Sequence, residues 1–427
     1  MSTTILFILL LVLFLCNTPI AISIAVASIA TIAIKGDYSL MVVIQKLFGG
    51  ADSFHLMAVP LFMYAGLIME KGGISRRLID LANALVGWLP GGLAAVTVVS
   101  AMFFAGISGS AAADTAAVGA LLIPAMKKSG YDSDFAGAVQ AAGGSIGVII
   151  PPSIPMIIFG YLTGASIGRL FAAGILPGFM IGLSLIAIAT LLSRKYGYGA
   201  AVSFSWRSLL GNFVAAIPAL GAPIIILGGI LGGIFTATES AAAAVFYSML
   251  VGFFIHRELA VRDLSPIFIE GSVIAAIVMF IIATASIFSW VAAIDDIPAR
   301  LAGSLLNLSD NPVILLLLIN LVLLIAGTFV ETTAALILLV PMIMTLLPSL
   351  GIDPVHLGVI VVTNLAIGML TPPMGICLIV SASISGGTIS AISRRIIPFL
   401  VILLVDLLII TFYAPLTTWL PELLIGP

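Results

Sequence analysis

Charged residues are scarce in this sequence. Only 8% of its 427 residues are Asp, Glu, Lys or Arg, whereas 62% are hydrophobic. Soluble globular proteins carry about 25% charged residues, so this composition indicates a polytopic helical membrane protein without a soluble domain. The formal net charge is −2, and the sequence contains no basic cluster of the kind that binds nucleic acid.

Cysteine and histidine are also rare. Cys16 and Cys377 both lie in apolar segments, where cysteine behaves as a small buried hydrophobic residue, so we expect neither a disulfide nor a redox pair. His55, His256 and His356 are scattered through the chain without the spacing of metal ligands. The sequence therefore predicts no histidine-based metal centre.

A cleavable signal peptide is not expected at the N-terminus. The apolar run at residues 5–34 has no basic segment before it and is longer than the apolar core of a signal peptide. Because a bilayer needs about 20 apolar residues, we interpret residues 4–34 as the first membrane span, with a kink at Pro19.

One apolar stretch, from Gly106 to Ser153, contains many residues that break or cap helices. It is interrupted by GISGS at residues 106–110 and by GVIIPP at residues 147–152. Gly costs about 1 kcal/mol and Pro about 3 kcal/mol in a helix interior. Broken backbone at membrane depth is tolerated where protein buries it or where it lines a cavity. The stretch therefore predicts a binding site.

The same pattern returns in the second half of the chain. Residues 129–159 align with residues 350–380 at an offset of 221 without gaps, and eight of the 31 aligned positions are identical. At the break itself the alignment pairs Gly147, Pro151 and Pro152 with Gly368, Pro372 and Pro373. A repeat that shares its breaks is typical of secondary transporters, whose binding sites lie at the repeat interface.

The remaining chain divides into spans, short helices and amphipathic segments. Further spans are predicted at residues 54–70, 171–192, 206–231, 236–255, 266–291 and 397–420. Residues 91–105 with 111–126, and 312–326 with 332–347, are too short to cross singly, so each pair predicts a re-entrant hairpin. Broken helices are predicted at residues 132–147 with 153–163 and at 354–368 with 374–384. Amphipathic helices are predicted at residues 38–48, 71–88 and 295–308.

The distribution of basic residues predicts the orientation. With a cytoplasmic N-terminus, 12 of the 16 Lys and Arg residues lie on the cytoplasmic side and 4 lie outside, in agreement with the positive-inside rule. This topology has nine crossings and a periplasmic C-terminus. The first hairpin then enters from the cytoplasm and the second from outside, so the two halves are inverted.

Oxygen-bearing side chains concentrate at the two breaks. The N-termini of the four short helices would suit an anion, whereas unwound carbonyls would suit a small cation such as Na⁺. Hard oxygen ligands without a dense carboxylate cluster favour a monovalent ion over Ca²⁺. The first break offers the hydroxyls of Ser108, Ser110, Thr115, Ser145 and Ser153, and the second offers Thr328, Thr332, Thr333, Thr371 and the amide of Asn364.

Two carboxyl groups in these segments admit two interpretations. Thr328 and Glu331 have the spacing of a capping box, and Ser110 with Asp114 fits a helix cap with a dipole partner. An ionisable residue inside a membrane segment also marks a functional site. Both roles therefore remain open for Asp114 and Glu331.

Two other acidic residues lie outside the breaks. Thr236 and Glu239 predict a capping box at the outer end of a span. Asp406 stands alone in an apolar run, and the sequence identifies no partner for it. No Lys or Arg lies inside the hairpins or broken helices, so an acidic substrate would be held by helix N-termini, hydroxyls and bound cations.

Several motifs carry a family resemblance. GISGSAAADTAAVGALLIPAM, GGSIGVIIPPSIPMI, TATESAAAAV and the second G-x-x-x-PP resemble the large membrane (M, DctM-like) subunit of the tripartite ATP-independent periplasmic (TRAP) transporters. The resemblance covers essentially the whole chain and is greatest for the sialic-acid type. The TATES stretch departs from the commoner form of the family, which has Pro after the first Thr.

The resemblance implies an all-α polytopic membrane protein of the inverted-repeat, elevator type, with two re-entrant helical hairpins and two broken helices. It implies Na⁺-coupled import of an organic anion, either sialic acid or a C4-dicarboxylate, across the bacterial inner membrane, and no enzymatic activity. A periplasmic substrate-binding protein would deliver the substrate. A small four-helix membrane (Q) subunit is expected as a separate chain, because this chain begins directly with its first span.

The resemblance also implies site residues and domains. A first Na⁺ site falls on Ser108, Ser110, Gly143, Ser145, Gly147 and Ile150, and a second falls on Gly327, Thr328, Thr332, Asn364, Gly368 and Thr371. Substrate would contact Ser110, Thr115, Ser153 and Glu331. The transport domain would comprise residues 91–165 and 311–385, and the scaffold would comprise residues 1–90, 166–310 and 386–427.

Two functions other than transport are alternatives for this sequence. An intramembrane hydrolase could use Asp114 and Glu331 as a carboxylate pair, provided that both carboxyl groups reach one water molecule. A non-transporting membrane scaffold would not need two broken sites rich in hydroxyls. A channel fits two inverted hairpins less well than alternating access does.

Overall fold

The computed structural model describes residues 2–16, 18–199, 204–307, 309 and 311–426. Within these ranges the chain is helical and contains no strand. Six of the described helices are long and apolar enough to cross a membrane, and a seventh span results if a bent pair at residues 41–71 is counted as one. The fold is therefore an all-α polytopic membrane protein, as predicted.

The predicted first span is two helices. Helix α1 (Ser2–Leu15) and helix α2 (Ile20–Lys35) are separated at Pro19, which is the residue before α2. They have 14 and 16 residues, and each is shorter than the roughly 20 residues that a crossing requires. The prediction of one kinked span at residues 4–34 is therefore wrong.

The two N-terminal helices run antiparallel. Lys35, at the end of α2, forms an ion pair of 2.6 Å with Asp295. The Phe7 ring, near the start of α1, packs against the Phe288 ring at a centroid distance of 6.2 Å. Phe288 and Asp295 lie near the C-terminal end of one long helix, Val261–Ile294. Residue 2 and Lys35 therefore lie at the same end of the hairpin that α1 and α2 form. The N-terminus is thus on the side of Lys35, opposite to the predicted arrangement.

The next helices lead to the first hairpin. A bend of 61° separates α3 from the segment that contains α4. Helix α5 buries Ile74, Leu78 and Leu81, whereas Leu85 is 37% exposed. The bounds are α3 (Met41–Ala51), α4 (Ala58–Lys71) and α5 (Ile74–Val86).

The first hairpin and the first broken helix follow as predicted. The hairpin turns at Gly109 and Ser110, and the broken helix loses its regular backbone between residues 149 and 153. The α-helical part of its first half is followed by a 3₁₀ turn at Ile146–Val148. The bounds are α6 (Gly92–Ser108), α7 (Ala111–Lys128), α8 (Ser133–Ser145) and α9 (Ile154–Thr163).

A group of long helices separates the two repeats. Helix α12 is continued by a π-helical turn at Val251–Ile255, and the short helix α14 is the third predicted amphipathic segment. The bounds are α10 (Ile167–Tyr196), α11 (Trp206–Leu231), α12 (Ala237–Leu250), α13 (Val261–Ile294) and α14 (Ile297–Leu306).

The second half repeats the hairpin and the broken helix. The break lies at residues 369–375, and the predicted broken helix is confirmed. The first arm of the predicted hairpin is longer than expected: it has 18 residues and is by itself long enough to cross a membrane. The final span is followed by a second helix after Tyr413, so the predicted span at residues 397–420 crosses a helix boundary. The bounds are α15 (Pro312–Phe329), α16 (Thr332–Met344), α17 (Leu347–Leu350), α18 (Pro354–Gly368), α19 (Ile376–Ser385), α20 (Ile389–Phe412) and α21 (Pro415–Ile425).

The two repeats exchange the second halves of their broken helices. Helix α19, from the second repeat, packs against α7 and α8 of the first repeat. Helix α9, from the first repeat, packs against α16 and α18 of the second. Each hairpin therefore contacts a helix of the other repeat, and the four breaks and turns are brought together.

Helices α10, α20 and α21 belong with this central group by packing. Helix α20 packs against α8, α10 and α18, and α21 packs against α10. Two side-chain pairs connect α10 with α20: the Arg395 guanidinium lies 5.1 Å from the Tyr196 ring centroid, and the Ser184 hydroxyl donates to Asp406. Ile425 of α21 faces Gly168 of α10. Helix α10 contacts α11 much less than it contacts α6.

Two glycines bring the second turn and the second break into direct contact. A Cβ atom added to Gly368 would lie 2.6 Å from the Cα atom of Gly327, which is closer than real Cβ contacts allow. Gly368 also precedes the break, and Gly327 lies just before the hairpin turn. The contact explains why residue 368 is glycine, and a Cβ atom at Gly327 would be tight at 3.1 Å from the Gly368 Cα atom.

A cysteine-labelling experiment tests the N-terminal hairpin. In a chain with Cys16→Ser, the single variants Thr4→Cys and Asp37→Cys should react with a membrane-impermeant maleimide from the same side of the membrane, because α1 and α2 run antiparallel. Lys128→Cys, at the end of α7, is the control for the opposite side. Labelling of residues 4 and 37 from opposite sides would contradict the hairpin.

The Gly327–Gly368 contact predicts that one added methyl group at residue 368 lowers the stability of the fold. Gly368→Ala should lower the free energy of unfolding by about 1–3 kcal/mol, the usual cost of overpacking a close contact. Gly228→Ala is the matched control, because a Cβ at Gly228 meets no atom within 4 Å. The measurement is thermal unfolding in detergent. Equal stability of the two variants would refute the close contact.

Candidate functional site

The turn of the first hairpin is bonded to the first broken helix. Gly109 has a φ of +64° and ends α6, and its carbonyl accepts a hydrogen bond of 3.3 Å from the Ile154 amide at the start of α9. Ser110 is the N-cap of α7, and its hydroxyl accepts from the Ala113 amide at 3.5 Å. The turn and the break therefore form one continuous structure.

Asp114 places a carboxylate inside this structure. Its side chain is fully buried. One oxygen, Oδ1, accepts a hydrogen bond from the Ser108 hydroxyl, and the other, Oδ2, has no partner among the described residues. A Cβ atom on Gly147 would lie 2.3 Å from Oδ2 and 3.1 Å from the Ser110 carbonyl oxygen. The absence of a side chain at Gly147 thus makes room for the carboxylate.

Gln140 presents a second free oxygen in the first repeat. Its Nε2 donates to the Asp114 carbonyl at 3.3 Å and to the Thr115 carbonyl at 3.1 Å, and its Oε1 has no partner in the described part of the chain. Unsatisfied oxygens are costly at zero exposure, and the free Asp114 oxygen beside Gly147 fits a bound cation. Gln140 gave no signal in the sequence, because a single Gln in a small-residue helix matches no motif.

The six residues of the first predicted Na⁺ site are only partly together. Ser108, Ser110 and Gly147 surround the Asp114 carboxylate. The other three face different neighbours. Gly143 lies against α6, the Ser145 hydroxyl donates to the Ala142 carbonyl at 2.7 Å, and Ile150 packs on Gly178 of α10.

Glu331 caps the return helix of the second hairpin. Its Oε2 accepts hydrogen bonds from the amides of Thr333 (2.9 Å) and Ala334 (3.3 Å), and its Oε1 accepts from the Thr333 hydroxyl at 3.1 Å. Thr328 is still within α15 and donates to the Leu324 carbonyl at 2.9 Å. The predicted capping box of Thr328 with Glu331 is therefore wrong, because α15 continues to Phe329.

The other predicted caps are present. Ser110 caps α7, with Asp114 in its first turn. Thr236 and Glu239 form a capping box: the Glu239 carboxylate accepts from the Thr236 amide at 2.8 Å, and the Thr236 hydroxyl accepts from the Glu239 amide at 3.3 Å. Asp406, which had no predicted partner, is bonded to Ser184 of α10.

The second predicted Na⁺ site surrounds the Gly327–Gly368 contact. Asn364 lies one turn before Gly368 and is fully buried, and its Oδ1 has no partner among the described residues. The Thr332 hydroxyl lies 3.2 Å from the Met369 sulfur, and the Thr371 hydroxyl donates to the Ile367 carbonyl at 3.0 Å. Asn364 thus supplies a free side-chain oxygen in this half, as does the neighbouring Thr363 hydroxyl.

A cavity of about 220 Å³ lies between the two hairpin turns. The first residues of four helices line it, and none of its lining residues is basic. Ser110 and Glu331, which are both N-caps and are separated by the repeat offset of 221, also line it. The four helix N-termini are Ala111 of α7, Ile154 of α9, Thr332 of α16 and Ile376 of α19.

Two predicted substrate residues lie behind the cavity wall. The Thr115 hydroxyl donates to the Ala111 carbonyl at 2.7 Å and fills the space that a side chain at Gly144 would occupy. The Ser153 hydroxyl donates to the Val148 carbonyl at 2.5 Å. Both side chains are fully buried, so only Ser110 and Glu331 of the predicted set line the cavity.

A smaller cavity of about 80 Å³ lies on the other side of Ser110. Ser108, Asp114 and Glu70 are among its lining residues. Asp114 and Glu331 therefore line different cavities. This arrangement does not favour a hydrolase, which would need both carboxyl groups near one water molecule.

Comparisons with known proteins agree with this architecture. Residues 7–416 match the family model described as the DctM component of the tripartite ATP-independent periplasmic transporters. An isethionate TRAP permease, DctMQ, of Oleidesulfovibrio alaskensis is 42% identical over 93% of this chain, and the chain spans 63% of that protein. The large permeases DctM for C4-dicarboxylates of Pseudomonas aeruginosa and SiaM for sialic acid of Vibrio cholerae are 39% and 37% identical, over 94% and 96% of both chains.

A solved structure has a similar fold. The YdaH transporter of Alcanivorax borkumensis superposes with a TM-score of 0.62 over 88% of each chain, at 14% sequence identity, which supports the fold alone. The family match covers nearly the whole chain, and the relatives agree with it along their length. The chain belongs to the DctM family of large membrane subunits of TRAP transporters.

Proposed function

We propose that this chain is the transport subunit of a Na⁺-coupled importer of small organic anions. The observation that carries the proposal is the convergence of four helix N-termini on one cavity of about 220 Å³. Helix N-termini carry partial positive charge and free N–H groups, and they favour anions. The Ser110 hydroxyl adds a hydrogen-bond donor to the same wall.

The coupling ion is Na⁺ in this proposal. The buried Asp114 carboxylate has one unpartnered oxygen, and a buried charge without a counter-ion is strongly unfavourable. A small monovalent cation beside Gly147 would neutralise it. In the second half, the free oxygen of Asn364 would contribute to a second cation position.

The moving unit is larger than the predicted transport domain. We assign to it α6–α9 and α15–α19, together with α10, α20 and α21, which pack against them. The scaffold then comprises α1–α5 and α11–α14. The amphipathic helices α5 and α14 contact the hairpin helices α6 and α16, and they would guide an elevator movement.

The substrate is an organic anion of the class that the relatives share. Those relatives carry isethionate, C4-dicarboxylates, sialic acid and 2,3-diketo-L-gulonate in their names. These compounds share a carboxylate or sulfonate group, which suits helix N-termini and a serine hydroxyl. Sialic acid and C4-dicarboxylates are the first candidates for this chain.

The subunit works with two partners in this proposal. A periplasmic binding protein delivers the anion, and a small Q subunit completes the membrane complex. The complex lies in the bacterial inner membrane with Lys127 and Lys128 on the cytoplasmic side. The N-terminus then faces the periplasm, because the α1–α2 hairpin returns it to the side of Lys35.

Uptake into proteoliposomes tests the proposal. The M chain, its Q subunit and the cognate binding protein are supplied with labelled sialic acid, succinate or isethionate. At least one anion should accumulate with an inward Na⁺ gradient, and accumulation should stop when choline replaces Na⁺. Uptake that does not depend on Na⁺ would contradict the proposed coupling to Na⁺. Absence of uptake for all three anions would contradict the proposed substrate class.

A pair of glutamate variants tests the cavity. Glu331→Gln should lower the initial uptake rate at limiting Na⁺ about tenfold or more, because a hydrogen bond to a charged group contributes about 1.5–3 kcal/mol. Glu239→Gln is the matched control: it changes another helix-capping carboxylate that does not line the cavity, and uptake should remain within about twofold, a difference below 1 kcal/mol. Equal effects would show that Glu331 acts only as a helix cap.

A further inference from the structure

Five buried residues form a hydrogen-bonded chain that ends one turn before the second break. Asn364 of α18 donates to Asn320 Oδ1 at 2.9 Å, and Asn320 of α15 donates to the Thr411 hydroxyl at 3.0 Å. The His356 ring lies 3.3 Å from the Thr411 carbonyl and 2.7 Å from the Thr417 hydroxyl. All five residues are at most 4% exposed, and they connect four helices.

The orientation of the Asn364 amide is fixed by this arrangement. Its Nδ2 lies 2.8 Å from the Ile360 carbonyl oxygen, which can only accept a hydrogen bond. A flipped amide would place two acceptors at that distance. The nitrogen therefore faces Ile360 and Asn320, and Oδ1 is left without a donor among the described residues.

The same reasoning fixes the rest of the chain. Asn320 must offer its oxygen to Asn364, so its nitrogen faces Thr411. The Thr411 hydroxyl has a single hydrogen, which it donates to the Leu407 carbonyl at 2.8 Å, and it is thus free to accept from Asn320. The hydrogen bonds between these amides and α20 then have one consistent direction: Asn364 donates to Asn320, Asn320 donates to Thr411, and Thr411 donates to the Leu407 carbonyl.

We propose that Asn320 is a positioning residue for the second cation site. It holds the Asn364 amide so that Oδ1 stays available as a cation ligand, and the Thr411 hydroxyl holds the Asn320 amide in turn. The inference rests on the proposed function, since it deepens the assignment of a Na⁺ position near Asn364. No motif indicates Asn320, because it is a single polar residue in the apolar run of α15.

The repeat relationship supports a specialised role. At the offset of 221, Asn364 corresponds to Gly143 in the first half, and Asn320 corresponds to Val99. The first half therefore lacks both amides and has the Asp114 carboxylate instead. A neutral amide is a weaker cation ligand than a carboxylate, and only its oxygen can bind a cation. The orientation of the Asn364 amide therefore matters more for Na⁺ affinity than the orientation of the Asp114 carboxylate.

The test measures Na⁺ binding without transport. Thermal stability of the purified complex in detergent is followed as NaCl replaces choline chloride at constant ionic strength. Asn320→Leu, which removes both hydrogen-bonding groups at similar volume, should raise the half-maximal Na⁺ concentration about three- to tenfold, as expected for one lost hydrogen bond. Thr411→Val should raise the half-maximal Na⁺ concentration by a smaller factor. Thr411→Ser, which keeps the hydroxyl, should have the wild-type half-maximal Na⁺ concentration.

A double variant separates positioning from general destabilisation. If Asn320 acts through Asn364, then Asn320→Leu should add no shift in Na⁺ dependence to a chain that already carries Asn364→Ala. Thr31→Val is the control, because the Thr31 hydroxyl is buried but bonds only to the Ala27 carbonyl of its own helix. An additive shift, or an equal shift in Thr31→Val, would overturn the inference.

The outcomes also distinguish the two proposals. No Na⁺ stabilisation of the wild-type complex would reject the sodium proposal and the positioning inference together. Stabilisation of the wild type with unchanged Na⁺ dependence in Asn320→Leu and Thr411→Val would reject the positioning role alone. If Asn320→Leu does not fold, the comparison of Thr411→Val with Thr411→Ser decides the question.

Discussion

The structure depends on how it satisfies backbone groups that are freed inside the membrane. Each broken helix and each hairpin turn leaves N–H and C=O groups without helical partners, and lipid offers none. The Ile154 amide bonds to the Gly109 carbonyl, and the Cys377 amide bonds to the Met369 carbonyl at 3.2 Å. These bonds, with the exchange of α9 and α19 between repeats, make the hairpins and broken helices one packed unit around the cavity.

The repeat preserves backbone geometry but not chemistry. The two N-caps, Ser110 and Glu331, and the two break glycines, Gly147 and Gly368, are related by the same offset. The free oxygens beside the breaks are not, since Asp114 corresponds to Ala335 and Gly143 to Asn364. The halves thus share the geometry of their turns and breaks but differ in charge, and each half presents a buried oxygen from a different position.

Sequence patterns predicted the breaks well because Gly and Pro act locally. The end of α18 at Gly368 and the start of α9 after Ser153 agree with expectation. The patterns failed where packing decides. Neither the fold-back at Pro19 nor the position of Thr328 within α15 has a local signal, and buried amides such as Gln140 and Asn320 stand alone in apolar helices. Because lipid and protein interior are equally apolar, helix packing leaves little periodicity to detect.

Charge balance links the cavity to the cation positions in the proposed mechanism. Among the described residues, the cavity lining contains no Lys or Arg, so the bound anion would be held by helix dipoles and hydroxyls, while Glu331 in the lining and Asp114 behind it add negative charge. Moving this group of charges through a low-dielectric environment alone would be strongly unfavourable. Two monovalent cations would neutralise two of the negative charges. In the proposed mechanism, electrostatics would therefore favour movement of the unit when anion and cations are bound together, and this requirement would couple uptake to the cation gradient.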